Sequence, residues 1–301
     1  MSFRRYVCVL LTGAPYLTCP LVAIDALRSL YSRLQNINPD PSYYSDPQHV
    51  VDFPFSFLHT RLPVDRFRLS NPPAFVFKYM GRESFAEVWK LIDSFKVMES
   101  YIRLHINGTI GYGKSHILAV VAGLLSRTGK RTVYIPDCAR LVQNPMIYMQ
   151  CALLCAFADP SSSDVRATIR AFESLEALEK FCVNHAEHFY FVVDQMNALD
   201  TDGPNMDSVC NRTKDDVRDF LNRITDGYST IESASANYKT ALKMEHRQAS
   251  ELRLSLMGGM SKVSRLLMTF YVVPFSSSTW DAERDEVLVD SLRRCITHFG
   301  R

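Results

Sequence analysis

The 301-residue sequence has no C-x-x-C pair, no internal repeat, no excess of one charge and no apolar stretch long enough to span a membrane. Each absence removes a class of protein. Its eight cysteines stand at positions 8, 19, 138, 151, 155, 182, 210 and 295, and Cys151 and Cys155 lie one helical turn apart in an apolar run, where core thiols are expected before a metal site. His185 and His188 have no cysteine pair to complement them. Buried free thiols are the expectation, which fits a reducing compartment. With 34 Lys and Arg against 32 Asp and Glu, the formal net charge of +2 leaves no global electrostatic footprint for nucleic acid. Without a run of roughly 20 apolar residues, no transmembrane helix is expected and no membrane partner. The start, Met1-Ser2-Phe3-Arg4-Arg5 and then Tyr6 to Leu11, faintly resembles a secretory signal. Its apolar core is short, Pro15 and Pro20 interrupt the residues after it, and no small-x-small cleavage site is present, so it reads as a short strand or irregular start.

The chain does contain 47% hydrophobic and 22% charged residues, the balance of a globular protein with a sizeable core. Residues 1–75 are expected to be an irregular lead-in or linker packed against the main domain. They carry one helix near Leu21–Gln35, and Pro54, Pro63, Pro72 and Pro73 forbid a long helix between 50 and 75. Residues 76–260 form the main domain, and 261–301 read as a helical remnant or the start of a truncated domain. Within the main domain, helices near 85–97, 116–126, 145–158, 170–187 and 213–225 alternate with strands near 102–107, 131–135, 189–194, 229–233 and 251–256. Strand–helix alternation implies a parallel α/β sheet. Phe189-Tyr190-Phe191-Val192-Val193 is apolar without interruption, as a strand buried on both faces is.

The most informative stretch is Gly108-Thr109-Ile110-Gly111-Tyr112-Gly113-Lys114-Ser115. It fits G-x-x-x-x-G-K-[ST], the phosphate loop of P-loop NTPases, between an alternating strand and an apolar helix. Glycines at 108, 111 and 113 let backbone N–H groups curl around an anion, and the helix after the loop adds its positive dipole end. Lys114 is expected to reach the outer phosphates and Ser115 to hold Mg2+, with His116 next to the nucleotide. The alternative is a chance glycine-rich strand–helix turn. N-K-x-D is absent, which favours ATP over GTP.

Asp194 ends the apolar strand where a Walker B aspartate belongs, as a second Mg2+ ligand; a strand terminator or helix cap is the plainer reading. The residue after it is Gln195, where many P-loop ATPases carry a glutamate base. An amide cannot take a proton at neutral pH but can orient water, so slow hydrolysis, or binding without turnover, is expected. Asn237, with Ser235, ends the next strand and is a candidate for sensing the γ-phosphate, against the alternative of a small-residue turn. Gly81-Arg82-Glu83 precedes a helix upstream of the loop and resembles the nucleotide-base box of AAA+-related origin-recognition and STAND ATPases. In them the backbone around Gly81 and Arg82 would flank adenine; a helix cap at Ser84 is the alternative. These readings give an α/β P-loop NTPase of ASCE type, its central parallel sheet in the order 5-1-4-3-2 and flanked by helices.

The strings GTIGYGKSHILA, YIPDCARL, YFVVDQMNAL, SASAN and Leu256-Met257-Gly258-Gly259 together resemble the P-loop ATPase domain of Crinkler-type proteins, to which retrotransposon hot spot proteins are related. The resemblance spans roughly residues 75–260. It implies an ATPase of STAND/AAA+ type, with protein partners or self-association and contact with nucleic acid on family likeness alone. An intracellular location, cytoplasm or nucleus, is favoured, with secretion as an effector the alternative the family brings. The sequence departs from the family in lacking an L-F-L-A-K-like header, and after Met260 it shows no D…E-x-K nuclease arrangement or kinase motif. The expectation is an ATPase module without its effector, or a truncated product.

Overall fold

A computed structural model describes residues 22–59, 62, 63, 66–70, 75–94, 103–108, 111–200, 209–235 and 251–255. All of them belong to the first of two compact units, Met1–Gly258. The second unit, Gly259–Arg301, and the signal-like start lie outside the described residues.

In chain order the strands are β1 (Val50–Pro54), β2 (Val76–Met80), β3 (Arg103–Gly108), β4 (Arg131–Ile135), β5 (Phe189–Val193), β6 (Ser229–Ser235) and β7 (Glu251–Ser255). The first two pair antiparallel, and the other five form one parallel sheet in the order β4-β5-β6-β3-β7. Counted from β3 and read from the β7 edge, that order is 5-1-4-3-2. The helices are α1 (Ile24–Gln35), α2 (Glu83–Ser94), α3 (Lys114–Arg127), α4 (Cys138–Gln143), α5 (Pro145–Ala156), α6 (Ser163–Ala171), α7 (Leu175–Asn184) and α8 (Asn211–Thr225). All five residues of β5 are buried, as its unbroken apolar sequence requires.

The single helix expected over 170–187 is two. Buried Gln150 donates its amide to the carbonyls of Ile169 (3.1 Å) and Phe172 (3.0 Å), satisfying the end of α6. Ser174 then caps α7 by accepting from the Ala177 N–H at 3.2 Å.

The larger departure lies in residues 36–75, expected to be irregular. They hold a 3-10 turn at Pro41–Tyr44 and strand β1, which pairs with β2 from Val50↔Met80 to Pro54↔Val76. Five-residue strands in a two-stranded ladder give little periodic signal, and Pro54 masks the first. The hairpin packs on α3, which is buried almost all round between it and the parallel sheet. Phe53 lies so close that a β-carbon on Gly123 would stand 2.5 Å from its ring. Phe55 meets Phe67 at 4.8 Å, Phe77 at 6.1 Å and Tyr134 of β4 at 5.8 Å, so one aromatic cluster joins the segment to the sheet. Helix α1 also rests on α3, with Arg127 donating to Gln35 at 3.0 Å.

Within the sheet, β3 and β6 set His105 opposite Glu232. Glu232 is buried against His105 Nδ1 (3.2 Å) and Arg103 (3.3 Å), and Arg103 also donates to Thr225. A carboxylate at this depth needs such partners. Of the described cysteines, Cys138, Cys151 and Cys182 are buried thiols, Cys155 is half-buried and Cys210 exposed. No described helix is long and apolar enough to cross a membrane.

Candidate nucleotide-binding site

The parallel register aligns the C-terminal ends of the strands, with Gly108 opposite Ser235 and Ile135 opposite Val193. Loops leaving those ends converge, which is where open α/β sheets bind ligands. Gly108 closes β3, and the loop turns through Gly111 (φ 90°) and Gly113 (φ 75°), both in the left-handed region that favours glycine. Helix α3 begins at Lys114, so its first N–H groups face the loop. The Lys114 ammonium donates to the Gly108 carbonyl at 2.6 Å, folded back across the loop. Burial lowers its pKa, and nearby Asp194 pulls the other way. Thr109 and Ile110 lie outside the described residues.

Asp194 is brought in by strand pairing. Its N–H donates to Ile135 O (2.8 Å), and its carbonyl accepts from Cys138 N (3.3 Å), which stitches the ends of β4 and β5 together. Its carboxylate is 1% exposed. Ser115 at the start of α3 lies near enough to favour its ionised form, Ser233 donates to Oδ1 from β6, and the Gln195 N–H reaches Oδ1 at 2.9 Å. Burial pushes the Asp194 carboxyl up, and Arg66, Ser115 and Ser233 act against that. A hydroxyl and a carboxylate are the hard oxygen donors Mg2+ takes alongside nucleotide phosphates, so Ser115 and Asp194 fit that ion. Among the described residues no group of three or more His, Cys, Asp or Glu could hold a metal by itself.

Gln195 adopts the left-handed conformation (φ 63°, ψ 44°) and starts the 3-10 turn Met196–Leu199. A non-glycine residue held there stores about 1–2 kcal/mol of strain, a feature that clusters at functional sites. Asp200 turns away toward α8, where Lys214 donates to its carbonyl at 3.1 Å and Arg218 lies 3.9 Å from its carboxylate. Asn237 lies outside the described residues; Ser233 of the same string is the one that reaches Asp194.

The Gly81-Arg82 pair does two structural jobs. The Gly81 and Arg82 N–H groups donate to His49 O (2.9 Å) and Tyr44 O (3.0 Å). A β-carbon on Gly81 would stand 2.0 Å from the Asp46 carbonyl oxygen, so only glycine fits. The Arg82 guanidinium lies over the loop, donating to Tyr112 O at 3.2 Å and close enough to meet any β-carbon on Gly113 at 2.5 Å. His116, one turn into α3, sits between Phe67 (4.7 Å) and Phe77 (5.5 Å). Burial first, then the charge of Arg82, lowers its pKa from 6.5 to about 4, so the ring is neutral near pH 7.

Sequence reasoning missed Arg66. Its guanidinium donates to Asp194 Oδ2 (3.1 Å) and Pro136 O (2.9 Å) and pairs with Asp137 Oδ2 at 2.6 Å. An arginine in a proline-rich stretch carries no local signal; only the fold brings it 128 positions along the chain to Asp194. Asp137 had a clearer signature, as the cap of α4 that accepts from Ala139 N and Arg140 N.

No family profile matches this sequence, and no curated protein does. Among solved structures the chain is similar to AMPPCP-bound DnaA from Aquifex aeolicus, at 13% identity over 71% of this chain and 61% of that one, with a TM-score of 0.34. It is similar to PCH-2 of C. elegans at 10% identity over 66% of this chain and 48% of that one, with a TM-score of 0.29. A third similar structure is Drosophila ORC bound to GC-rich DNA and Cdc6, at 10% identity, 91% and 38% coverage and a TM-score of 0.35. The chain thus spans less than two thirds of each of these structures.

Proposed function

We propose that this chain binds ATP at residues 108–115 and is the P-loop module of a slow, Mg2+-dependent ATPase. One observation carries the reading: Lys114 and Ser115 at the start of α3 come together with Asp194, remote from them in sequence, beyond the C-terminal ends of β3 and β5. Ser115 and Asp194 would hold Mg2+, whose charge would offset that of the phosphates. Lys114 leaves the Gly108 carbonyl to meet the β- and γ-phosphates, and the N–H groups of Gly111–Ser115 cradle the anion. Arg82 adds a second positive charge above the loop. Gln195 orients the attacking water through its amide, without taking its proton.

ATP-dependent melting and turnover test this reading in wild type beside Lys114→Ala. ATP is expected to raise the melting temperature of wild type, since a ligand of the native state stabilises it by mass action. The shift should vanish in Lys114→Ala. No shift at millimolar ATP in wild type removes the proposal.

A second reading, a nucleotide-dependent switch without turnover, is favoured by the amide at Gln195. Gln195→Glu separates the two. If hydrolysis is limited by the missing base, turnover rises about tenfold or more. If both proteins bind ATP and neither turns it over, the switch reading stands. The finer assignment, a Crinkler-like member of the STAND group, is supported by the sequence strings alone. Such a module would self-associate on binding ATP, and a light-scattering mass unchanged by ATP removes that assignment.

A further inference from the structure

We propose that Arg66 is a resident cation of this site that competes with the divalent ion for Asp194. Both oxygens of the buried Asp194 carboxylate already have donors. Oδ1 accepts from Ser233 and from Gln195 N, and Oδ2 accepts from Arg66 Nη1 at 3.1 Å. The second acid of the cluster, Asp137, has a cation of its own besides Arg66, since Arg140 Nε lies 3.3 Å from its Oδ2. Arg66 is therefore the cation in direct contact with Asp194, with Lys114 nearby. A divalent ion held by Asp194 would meet a guanidinium already on Oδ2, in surroundings where repulsion between like charges is weakly screened.

The segment is built so that the side chain can yield while its backbone stays. Arg66 N and Phe67 N both donate to Pro63 O at 3.1 Å, and the Phe67 ring is fixed between Phe55 and His116. Swinging the guanidinium off Asp194 disturbs neither anchor, and Asp137 remains within its reach. The ligands are affected in two ways. Divalent ion alone finds no site in wild type, because Asp194 is already neutralised. Nucleotide binds with little help from metal, because Arg66 and Lys114 supply positive charge where the ion would.

The experiment uses the full chain, wild type and Arg66→Gln, with Mn2+ as the probe in thermal melts and ADP in calorimetry with EDTA or Mg2+. The melting temperature of wild type should be insensitive to Mn2+ alone, and that of Arg66→Gln should rise by several degrees at about 10 mM, as the uncompensated Asp194 carboxylate takes up the ion. Mg2+ should tighten ADP by less than about 3-fold in wild type and by more than about 10-fold in Arg66→Gln. Arg66→Lys keeps the charge without the two-oxygen fork and should fall between them. If Arg66→Gln folds only with Mn2+ present, the proposal is supported; if it does not fold at all, Arg66→Lys decides on the same readings. Equal responses to Mn2+ in wild type and variant overturn the proposal. The Mn2+ arm needs no nucleotide. A failure of ADP to bind any of the proteins therefore strikes the function proposed above, while the Mn2+ response still rules on Arg66.

Discussion

Residues 103–127 carry their instruction in one short stretch. A strand ends on glycine, two further glycines take positive φ, and an apolar helix runs on from Lys114. Residues 44–82 work by reach instead. Their aromatic side chains bury α3 and join β4, their Gly81 fits under the Asp46 backbone, and Arg66 and Arg82 extend to the ends of the sheet and the phosphate loop. The first region would be recognisable in any fold; the second has meaning only in this one. The contrast teaches that a glycine loop running into a helix is local chemistry, whereas the charges and rings around it are supplied from a distance.

The contrast breaks most decisively if the N-terminal segment is a separable lead-in. Phe55→Ala empties a fully buried site between Phe67, Phe77 and Tyr134, and it should cost about 3–5 kcal/mol in denaturant unfolding. A single cooperative transition shifted by that amount ties the segment to the sheet; an unshifted main transition would dissolve the comparison.

Two glycine substitutions sharpen it next. Gly81→Ala drives a β-carbon into the Asp46 carbonyl, a backbone atom that cannot step aside, and should cost about 2–3 kcal/mol of stability. Gly113→Ala meets the movable end of Arg82 and a positive φ, and should cost only about 1 kcal/mol. Its damage should appear in nucleotide affinity, as a loss of about tenfold or more. Equal losses of stability, with binding untouched, would erase the division of labour.

His116 tests the seam between the regions. Its folded pKa of about 4 lies below the unfolded value of 6.5, so the unfolded state binds more protons between those limits. The stability it contributes is intact above pH 6.5 and is lost as pH falls toward 4, by about 2 kcal/mol after allowing for partial exposure of the ring. His116→Phe should flatten the melting temperature across that window, and a profile as steep as wild type would show that other groups govern it. The smallest effect belongs to Gln195→Gly. Relief of left-handed strain, less the extra freedom of an unfolded glycine, should add about 0.5 kcal/mol; a lower melting temperature would mean that the strain is not relieved.

The same division explains which features are legible in the sequence. The phosphate loop, the β5 run ending in Asp194 and the strand–helix alternation can be read because period and motif are local properties. The break at Phe172–Ser174 escapes a sequence reading because its cause, Gln150, lies in another helix, although Ser174 is a visible cap. The β1–β2 hairpin escapes it because its strands are short and one ends in proline. Arg82 draws notice for its backbone beside a base, and the structure uses those N–H groups to hold residues 44–49 while the side chain lies on the loop. Arg66 gives no signal at all, because nothing near it in sequence shares its role.

The strand order also bears on how the molecule comes off the ribosome. β6 lies between β3, which carries the loop, and β5, which carries Asp194, so the two halves do not touch edge to edge. Translation delivers β3 first, then β4 and β5, and only afterwards the strand that fills the gap between them. A nascent chain that has just passed residue 194 therefore holds the glycine loop and Asp194 and still lacks the strand that sets the halves at their working separation. Assembly of the proposed site is timed by Ser229–Ser235, a segment that carries neither the phosphate loop nor Asp194, which acts as the keystone laid after both sides of the arch.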